Sequence, residues 1–335
     1  VIELKRLFAE TATTEEWHDY HRVMGRYYED INGEPVEREP FLRTAKSGMT
    51  SGNCVERTFL AYDNGVVAGG GSFARYDGWG IVFTDIEVLP EFRRRGIGNR
   101  LLDRLRSEAH AVGLAKLFLF TVDNVPSGEP FLIRRGAQKG IVQKGGRLFT
   151  KDIDIALMRR WIAAGAKAGF ESGVWHNRIP EEHIDRYVVA YNSINDAPHG
   201  ELETTQTAMT PDAMRAIIRR FIVNGGNDIL IAWVRDTLSG EFAAISELAL
   251  NRSQPTQAFQ NNTMTVSRYR GNGFGKLVKA QNALHLIEHW PRIQSIRTSN
   301  AEVNDAMLAI NEKMGFKQVQ THTFWELAVD RALKS

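Results

Sequence analysis

The chain has 335 residues, 43% of them hydrophobic and 24% charged, which excludes a disordered chain and favours two domains over one. The formal net charge of +2 makes no demand for a nucleic-acid or membrane partner, and no apolar run is long enough to span a bilayer. The single cysteine, Cys54, lies beside Gly52 and Asn53 in a polar run, rules out an intrachain disulfide and fits a reducing cytoplasm.

In chain order, Ile2–Leu7 reads as a strand and Thr14–Tyr28 as a helix, capped by Thr13 or Thr14 with Glu15 and Glu16 in its first turn. Trp17, Tyr20, His21, Met24 and Tyr28 form a stripe on that helix. It reads either as core or as the wall of a substrate pocket. Segment 31–56, rich in Gly, Pro, Glu and Ser, reads as irregular. Thr58–Tyr62 and Val66–Phe73 flank Asp63-Asn64-Gly65, the signal of a tight hairpin. A strand over 81–88 leads into Phe92-Arg93-Arg94-Arg95-Gly96-Ile97-Gly98-Asn99, and Leu101, Leu102, Leu105, Ala109 and Val112 then follow helical spacing. Ala115–Val122 reads as a buried strand, Glu129–Arg135 as a short helix ending at Gly136, and 138–143 and 147–153 as two more strands.

Asp154–Lys167 reads as a connecting helix, after which the order restarts. Phe170–Arg178 is strand-like, Pro180–Ser193 and Pro211–Val223 are helical, and Asp228–Val234 and Glu241–Leu250 flank a second hairpin turn. A strand at 258–266 leads into Arg270-Gly271-Asn272-Gly273-Phe274-Gly275-Lys276 and a helix. A strand at 293–298, a helix at 303–313 ending at Gly315, and a last strand at Phe324–Val329 complete the chain. The hairpin glycine precedes the motif arginine by 28 residues in one half (Gly65, Arg93) and 30 in the other (Gly240, Arg270). The arginine precedes a helix-ending glycine by 43 and 45. These spacings mark a duplication with an offset of 177 residues, a whole domain per copy.

Strand, glycine loop and helix start together make an anion site. The first amides of a helix have no intrahelical acceptor, the macrodipole favours negative charge there, and glycines let a pyrophosphate approach. Arg93–Arg95 in one half, and Arg270 with Lys276 in the other, are the cations beside it. Asp85 and Glu87, two apart on one strand face, are candidate bases. The matching strand has only Gln260 and Asn262, which leaves Glu247 on the strand before it. No His, Cys or Asp cluster shows metal-ligand spacing.

Each half resembles the GNAT superfamily of acetyl-CoA-dependent N-acetyltransferases. The resemblance rests on a strand ending in Val, Arg-x-x-Gly-x-Gly at a helix start, a second strand, Asn, a short helix and Gly-Phe. These stand as Val88, Arg93–Gly98, Asn124 and Gly136-Ala137, and as Val266, Arg270–Gly275, Asn304 and Gly315-Phe316. The chain is thus similar to tandem GNAT proteins such as mycothiol synthase and some antibiotic-pathway acetyltransferases.

The resemblance implies an α/β (α+β) fold of two GNAT domains, 1–153 and 168–335, joined by a helix at 154–167. Each would have a mixed, mostly antiparallel sheet flanked by helices, with a splayed parallel strand pair holding CoA. It implies that acetyl-CoA, or another short acyl-CoA, lies against Val88, Arg93, Arg94, Arg95, Gly96, Ile97, Gly98, Asn99, Asn124 and Ser127. In the second half the matching residues are Val266, Arg270, Gly271, Asn272, Gly273, Phe274, Gly275, Lys276, Asn300, Asn304 and Asn311. Amides at the strand end would polarise the acyl carbonyl. Glu87, Asp85 or Glu247 would take a proton from a small-molecule amine acceptor, with no metal, nucleic acid or membrane involved, in a cytoplasmic monomer or weak dimer. Many members place a tyrosine acid four residues before the last motif glycine, where this chain has Leu132 and Asn311. That departure keeps open a protein that binds acyl-CoA with one or both halves degenerate. A nucleic-acid or ribosome-associated modifier is the third reading.

Overall fold

The computed structural model describes residues 1–50, 54–76, 82–196 and 208–330. The elements in order are β1 (Ile2–Leu7), α1 (Thr14–Asn32), α2 (Arg38–Thr50), β2 (Cys54–Asp63), β3 (Val66–Tyr76), β4 (Val82–Val88), α3 (Ile97–Ala111), β5 (Lys116–Val122), α4 (Gly128–Arg134) and β6 (Gln138–Phe149). There follow α5 (Ile155–Gly165), β7 (Phe170–His176), α6 (Ile184–Asn192), α7 (Pro211–Ile217), β8 (Asp228–Asp236), β9 (Phe242–Leu250), β10 (Gln257–Thr265), α8 (Phe274–His289), β11 (Ser295–Ala301), α9 (Asp305–Met314) and β12 (Lys317–Ala328). Ile81 and the Gly52-Asn53 pair lie outside the described residues.

The chain forms two compact units, which are not the linear halves 1–153 and 168–335. Among the described residues, unit 1 takes 1–141 and 322–330, and unit 2 takes 142–196 and 208–321. Strand pairing is the reason. His322–Ala328 of β12 runs antiparallel to Val122–Lys116 of β5, so the end of the chain completes the first sheet. Gln143–Phe149 of β6 pairs with Ala301–Ser295 of β11 and completes the second. The expected connecting helix is α5; it belongs to unit 2 and packs its Gly165 against the Leu277 side chain of α8.

Unit 1's sheet runs β1-β2-β3-β4-β5 and then β12. All its neighbours are antiparallel except β4 and β5, which are parallel and, among the described residues, paired only at Phe83 and Phe118. Beyond that point the two strands part. The Asp63-Asn64-Gly65 turn has φ of 52° at Asn64 and 83° at Gly65, the conformation Asn-Gly favours in a hairpin. One side of the sheet packs Leu101, Leu102 and Leu105 of α3, all fully buried with Phe73 and Trp325. The other packs Trp17, Tyr20, Val23 and Met24 of α1 with Phe41 and Leu42 of α2, so most of the aromatic stripe is core.

Unit 2 repeats the plan with β6-β11-β10-β9-β8-β7, and its parallel pair is β10 with β11. That pair is bonded from Gln257 to Gln260, and on the other side the ladder to β9 shifts register at a bulge between Gln260 and Thr263 and continues to Thr265.

Several elements differ from expectation. Within segment 31–56 the described residues hold an unexpected helix, α2 at Arg38–Thr50: Pro40 sits in its first turn, where a missing N–H costs nothing, and Phe41, Ala45 and Met49 share a face. The strands expected at 138–143 and 147–153 are one strand, β6. Gly145 and Gly146 continue the ladder opposite Ser299 and Thr298, and a Cβ on Gly146 would meet Thr298 and Phe316 at 3.4 and 3.5 Å. The helix expected at Pro180–Ser193 opens with a separate 3-10 turn, and that at Pro211–Val223 turns into π-helix over Ile218–Asn224.

Candidate active site

In unit 1 the loop after β4 fixes its shape with two left-handed residues, Arg94 (φ 66°) and Gly96 (φ 84°). Arg100 is the first residue of α3 to bond back, its N–H lying 3.2 Å from the Gly96 carbonyl. The amides of Ile97, Gly98 and Asn99 therefore open the helix without intrahelical acceptors. A Cβ on Gly98 would stand 3.5 Å from the Phe131 ring and 3.7 Å from Val88, so the glycine keeps an open approach and not a strained backbone.

Where β4 and β5 part, a cleft of about 660 Å³ opens between Asp85–Val88 on one strand and Leu119–Thr121 on the other. The loop residues Arg93, Arg94, Gly96, Ile97, Gly98 and Asn99 line it, with Ser127 and Phe131 from the α4 region. Arg94 is exposed and, among the described residues, makes no ion pair or hydrogen bond. Arg93 instead donates to the Val88 carbonyl (2.8 Å) and to Glu87 (3.0 Å), tying the loop to the strand. Arg95, expected at the phosphate, turns away. It pairs with Asp63 at 2.9 Å and lies over the Phe92 ring. Asn124 is also outside the cleft and donates to the Asp30 carbonyl at 2.6 Å.

Asp85 and Glu87 reach the same cleft, as their spacing requires. Tyr27 of α1 donates its hydroxyl to Asp85. Asp85 keeps part of its surface open to the cleft while protein surrounds its carboxyl, and this burial raises its pKa to about 6 against the opposing effect of the Tyr27 bond. Burial likewise lifts Glu87 to about 6, opposed by Arg93. Desolvation and the Asp85 charge push the Tyr27 hydroxyl well above the ordinary phenol range, so it stays protonated and keeps donating. Tyr27 was missed in the sequence, although it falls seven residues after Tyr20 on the same helical face. Its ring sits edge-on to Phe120, which also lines the cleft. Leu132, at the expected tyrosine position, is buried in the core and lines the cleft without a proton to give.

Unit 2 repeats the loop backbone. Gly271 and Gly273 have φ of 81° and 82°, and Leu277 is first to bond back, to Gly273 at 3.1 Å. The register corrects the motif by one residue. Arg93 reaches the carbonyl of Val88, and Arg270 reaches that of Thr265. Leu89 bonds the Ala68 carbonyl, and Val266 that of Ala243. Thr265 therefore matches Val88, and Val266 matches Leu89 outside the strand. Phe274 is not at a ligand surface but in the core. Lys276 lies over Trp161 at 5.7 Å, and Asn272 folds its amide onto the Tyr269 carbonyl. Asn304 caps α9 by accepting from Met307, and Asn311 donates to Asn300 at 2.6 Å.

Glu247 is 6% exposed, with Tyr187 donating to one oxygen at 2.5 Å and the Asn262 amide 3.5 Å from the other. Burial raises it to about 7. Unit 2 thus keeps a tyrosine–carboxylate pair, with the carboxylate on β9 and an amide on β10.

Residues 14–132 match the model of the acetyltransferase (GNAT) family. The chain is similar over 98% of its length to a tandem GNAT protein from the clavulanic acid biosynthesis pathway, covering 99% of that chain at 22% identity and a TM-score of 0.77. It is also similar over 98% of its length to a GCN5-related N-acetyltransferase from Sphaerobacter thermophilus, covering 96% of that chain at 10% identity and a TM-score of 0.68. A putative acetyltransferase from Pyrococcus horikoshii is matched over 98% of this chain and 89% of that one, at 15% identity and a TM-score of 0.58. At these identities the likeness is one of fold. No curated protein sequence matches the chain.

Proposed function

For a chain that is a tandem GNAT-fold protein, we propose that unit 1 transfers an acetyl or other short acyl group from a CoA thioester to the amine of a small molecule. The observation that carries this reading is Arg94, an unpaired cation held at positive φ on the rim of a cleft that also contains the open end of α3. A non-glycine residue in that conformation costs about 1–2 kcal/mol, and the position it gives Arg94 suits a phosphate. The amides of Ile97, Gly98 and Asn99 receive the pyrophosphate, and the gap between β4 and β5 takes the pantetheine arm. The thioester supplies an activated acyl carbonyl and a thiolate leaving group.

Asp85 is the base. Tyr27 orients its carboxylate, which is ionised at pH 7 and takes a proton from the incoming ammonium. The freed amine attacks the acyl carbonyl and the C–N bond forms; the attacking nitrogen then gives its extra proton to solvent as the C–S bond breaks, and the thiolate takes a proton from solvent, since Leu132 has none. Glu87, engaged by Arg93, holds the loop. The acceptor is a small amine entering beside Tyr27 and Phe120.

Unit 2 supports a second reading for itself alone, acyl-CoA binding without transfer, because Glu247 is buried and both its oxygens are engaged. The localisation consistent with this chemistry is cytoplasmic; no helix of the described residues is long and apolar enough to cross a membrane.

Thiol release from acetyl-CoA over a panel of alkyl amines, amino sugars and amino acids tests the proposal. Turnover with at least one class, abolished in Asp85→Asn, is expected. Acetyl-CoA binding with no turnover on any amine would leave only the binding reading, and no binding at all would end both.

A further inference from the structure

Unit 2 gathers three imidazoles away from the loop and Glu247. His285 and His289 are four residues apart in the last turns of α8 and share a helix face. Their rings stack, with centroids 4.0 Å apart and planes 15° from parallel. His176, the last residue of β7, meets them from the sheet, its centroid 4.4 Å from that of His285 and 5.9 Å from that of His289. The Nε2 atoms of His176 and His285 face one another directly.

Two facing ring nitrogens have room for only one hydrogen between them, so at least one lone pair points into the gap. The second ring–helix contact fixes a tautomer. His289 Nδ1 lies 3.0 Å from the His285 carbonyl oxygen. A carbonyl only accepts, so Nδ1 carries the proton and the neutral ring keeps its lone pair on Nε2. The same bond fixes the His289 ring on its helix, where it stacks on His285. His176 and His289 are exposed, which leaves a path from solvent. Among the described residues no three His, Cys, Asp or Glu side chains already converge on one metal position. The geometry therefore offers two protein ligands once the shared hydrogen shifts to the Nδ1 of its own ring, with water completing the shell.

We propose that His176 and His285 chelate one divalent transition-metal ion of the zinc or nickel class, with His289 stacked behind His285 to hold its ring. Imidazole nitrogen suits these ions. The ion would pin β7 to α8. Among the described residues β7 is the edge strand of its sheet and pairs only with β8, so its end at His176 is the place where such a pin acts. The pairing spans 109 residues of sequence, which is why no linear ligand motif announces it.

Trp290 supplies a reporter, since its ring centroid lies 5.2 Å from that of His176 and 6.1 Å from that of His289. Tag-free protein is titrated with Ni²⁺, following tryptophan fluorescence, and with Zn²⁺ in a calorimeter. One saturating equivalent is expected, with quenching that disappears in Trp290→Phe while the stoichiometry stays. His176→Ala and His285→Ala should each weaken binding by at least about tenfold, and His289→Ala by less. Zn²⁺ should raise the Tm of the wild type and not of the double variant, whose far-UV circular dichroism confirms that it is folded. Absence of saturable Ni²⁺ or Zn²⁺ binding by the wild type would overturn the proposal. So would wild-type affinity in the folded His176→Ala/His285→Ala double variant.

Discussion

The loops that open α3 and α8 share a backbone and differ in almost everything around it. Gly96 and Gly273 are left-handed to within a few degrees (84° and 82°), and Arg93 and Arg270 both reach back to the carbonyl five residues earlier. One position on, unit 1 carries Arg94 at φ 66° where unit 2 carries Gly271 at 81°. Behind the loop, α3 presents Leu102 and Leu105 to a dry core, and α8 presents Lys279 and Asn282 at the same offset. Lys279 is 1% exposed, with the Phe316 ring 5.7 Å away, and Asn282 donates to the Ser246 carbonyl at 2.9 Å. Beside the loop, the unit 1 carboxylate of Asp85 belongs to a residue lining a cleft, and the unit 2 carboxylate of Glu247 is buried with both oxygens engaged. The difference teaches that loop geometry is held by backbone demands, whereas the chemistry around it changes freely between copies of one fold.

The largest effect expected is loss of ligand at one unit at a time. Gly98→Asp is sterically easy, yet it sets a carboxylate against a pyrophosphate at a helix start. It should weaken acyl-CoA binding by more than about 100-fold at unit 1 only, and Gly275→Asp should do the same at unit 2 only. Calorimetric stoichiometry reads this, and equal effects of both variants on one site would break the comparison.

Next, Asp85→Asn should lower kcat by about 10²–10⁴-fold with little change in KM for the thioester, while Glu247→Gln leaves turnover unchanged. Because burial places Asp85 at about 6, the wild-type rate should rise with pH through that value as the base deprotonates. A rate that is flat from pH 5 to 8 would remove Asp85 from the role.

A smaller effect tests the cores. Burial lowers Lys279 to about 7 from its usual 10.5. Between those values the unfolded chain holds a proton that the folded chain does not, so stability rises with pH across that window. Below it both states are protonated and the charge stays buried. Lys279→Met should therefore stabilise unit 2 by about 1–3 kcal/mol at pH 7 and by less at pH 9.5, as urea melts at the two pH values would show. Leu102→Lys in unit 1 should do the reverse.

The smallest effect concerns strain. Arg94→Gly removes a left-handed arginine and should leave stability unchanged or raise it by about 1 kcal/mol, while acyl-CoA affinity falls several-fold. Gly271→Ala should cost unit 2 about 1 kcal/mol. An Arg94→Gly protein that binds as tightly as the wild type would separate Arg94 from the ligand.

The sequence by itself determined the duplication, both hairpins, both glycine loops and the shared face of Asp85 and Glu87. All of these are local, since periodicity, turn chemistry and the need for positive φ act within a few residues. It left out what depends on distant partners. Tyr27, 58 residues earlier, bonds Asp85 while Arg93 engages Glu87, and the carboxylates' shared strand face announces neither partner. Arg95 and Asn124 fit the motif but were claimed by Asp63 and the Asp30 carbonyl. Val266 kept the pattern one residue out of register, which only the bonds of Arg270 and Val266 could correct. The compact units, too, came from tertiary structure alone. An antiparallel ladder joins β5 to a strand some 200 residues later, and no local signal in either strand names its partner.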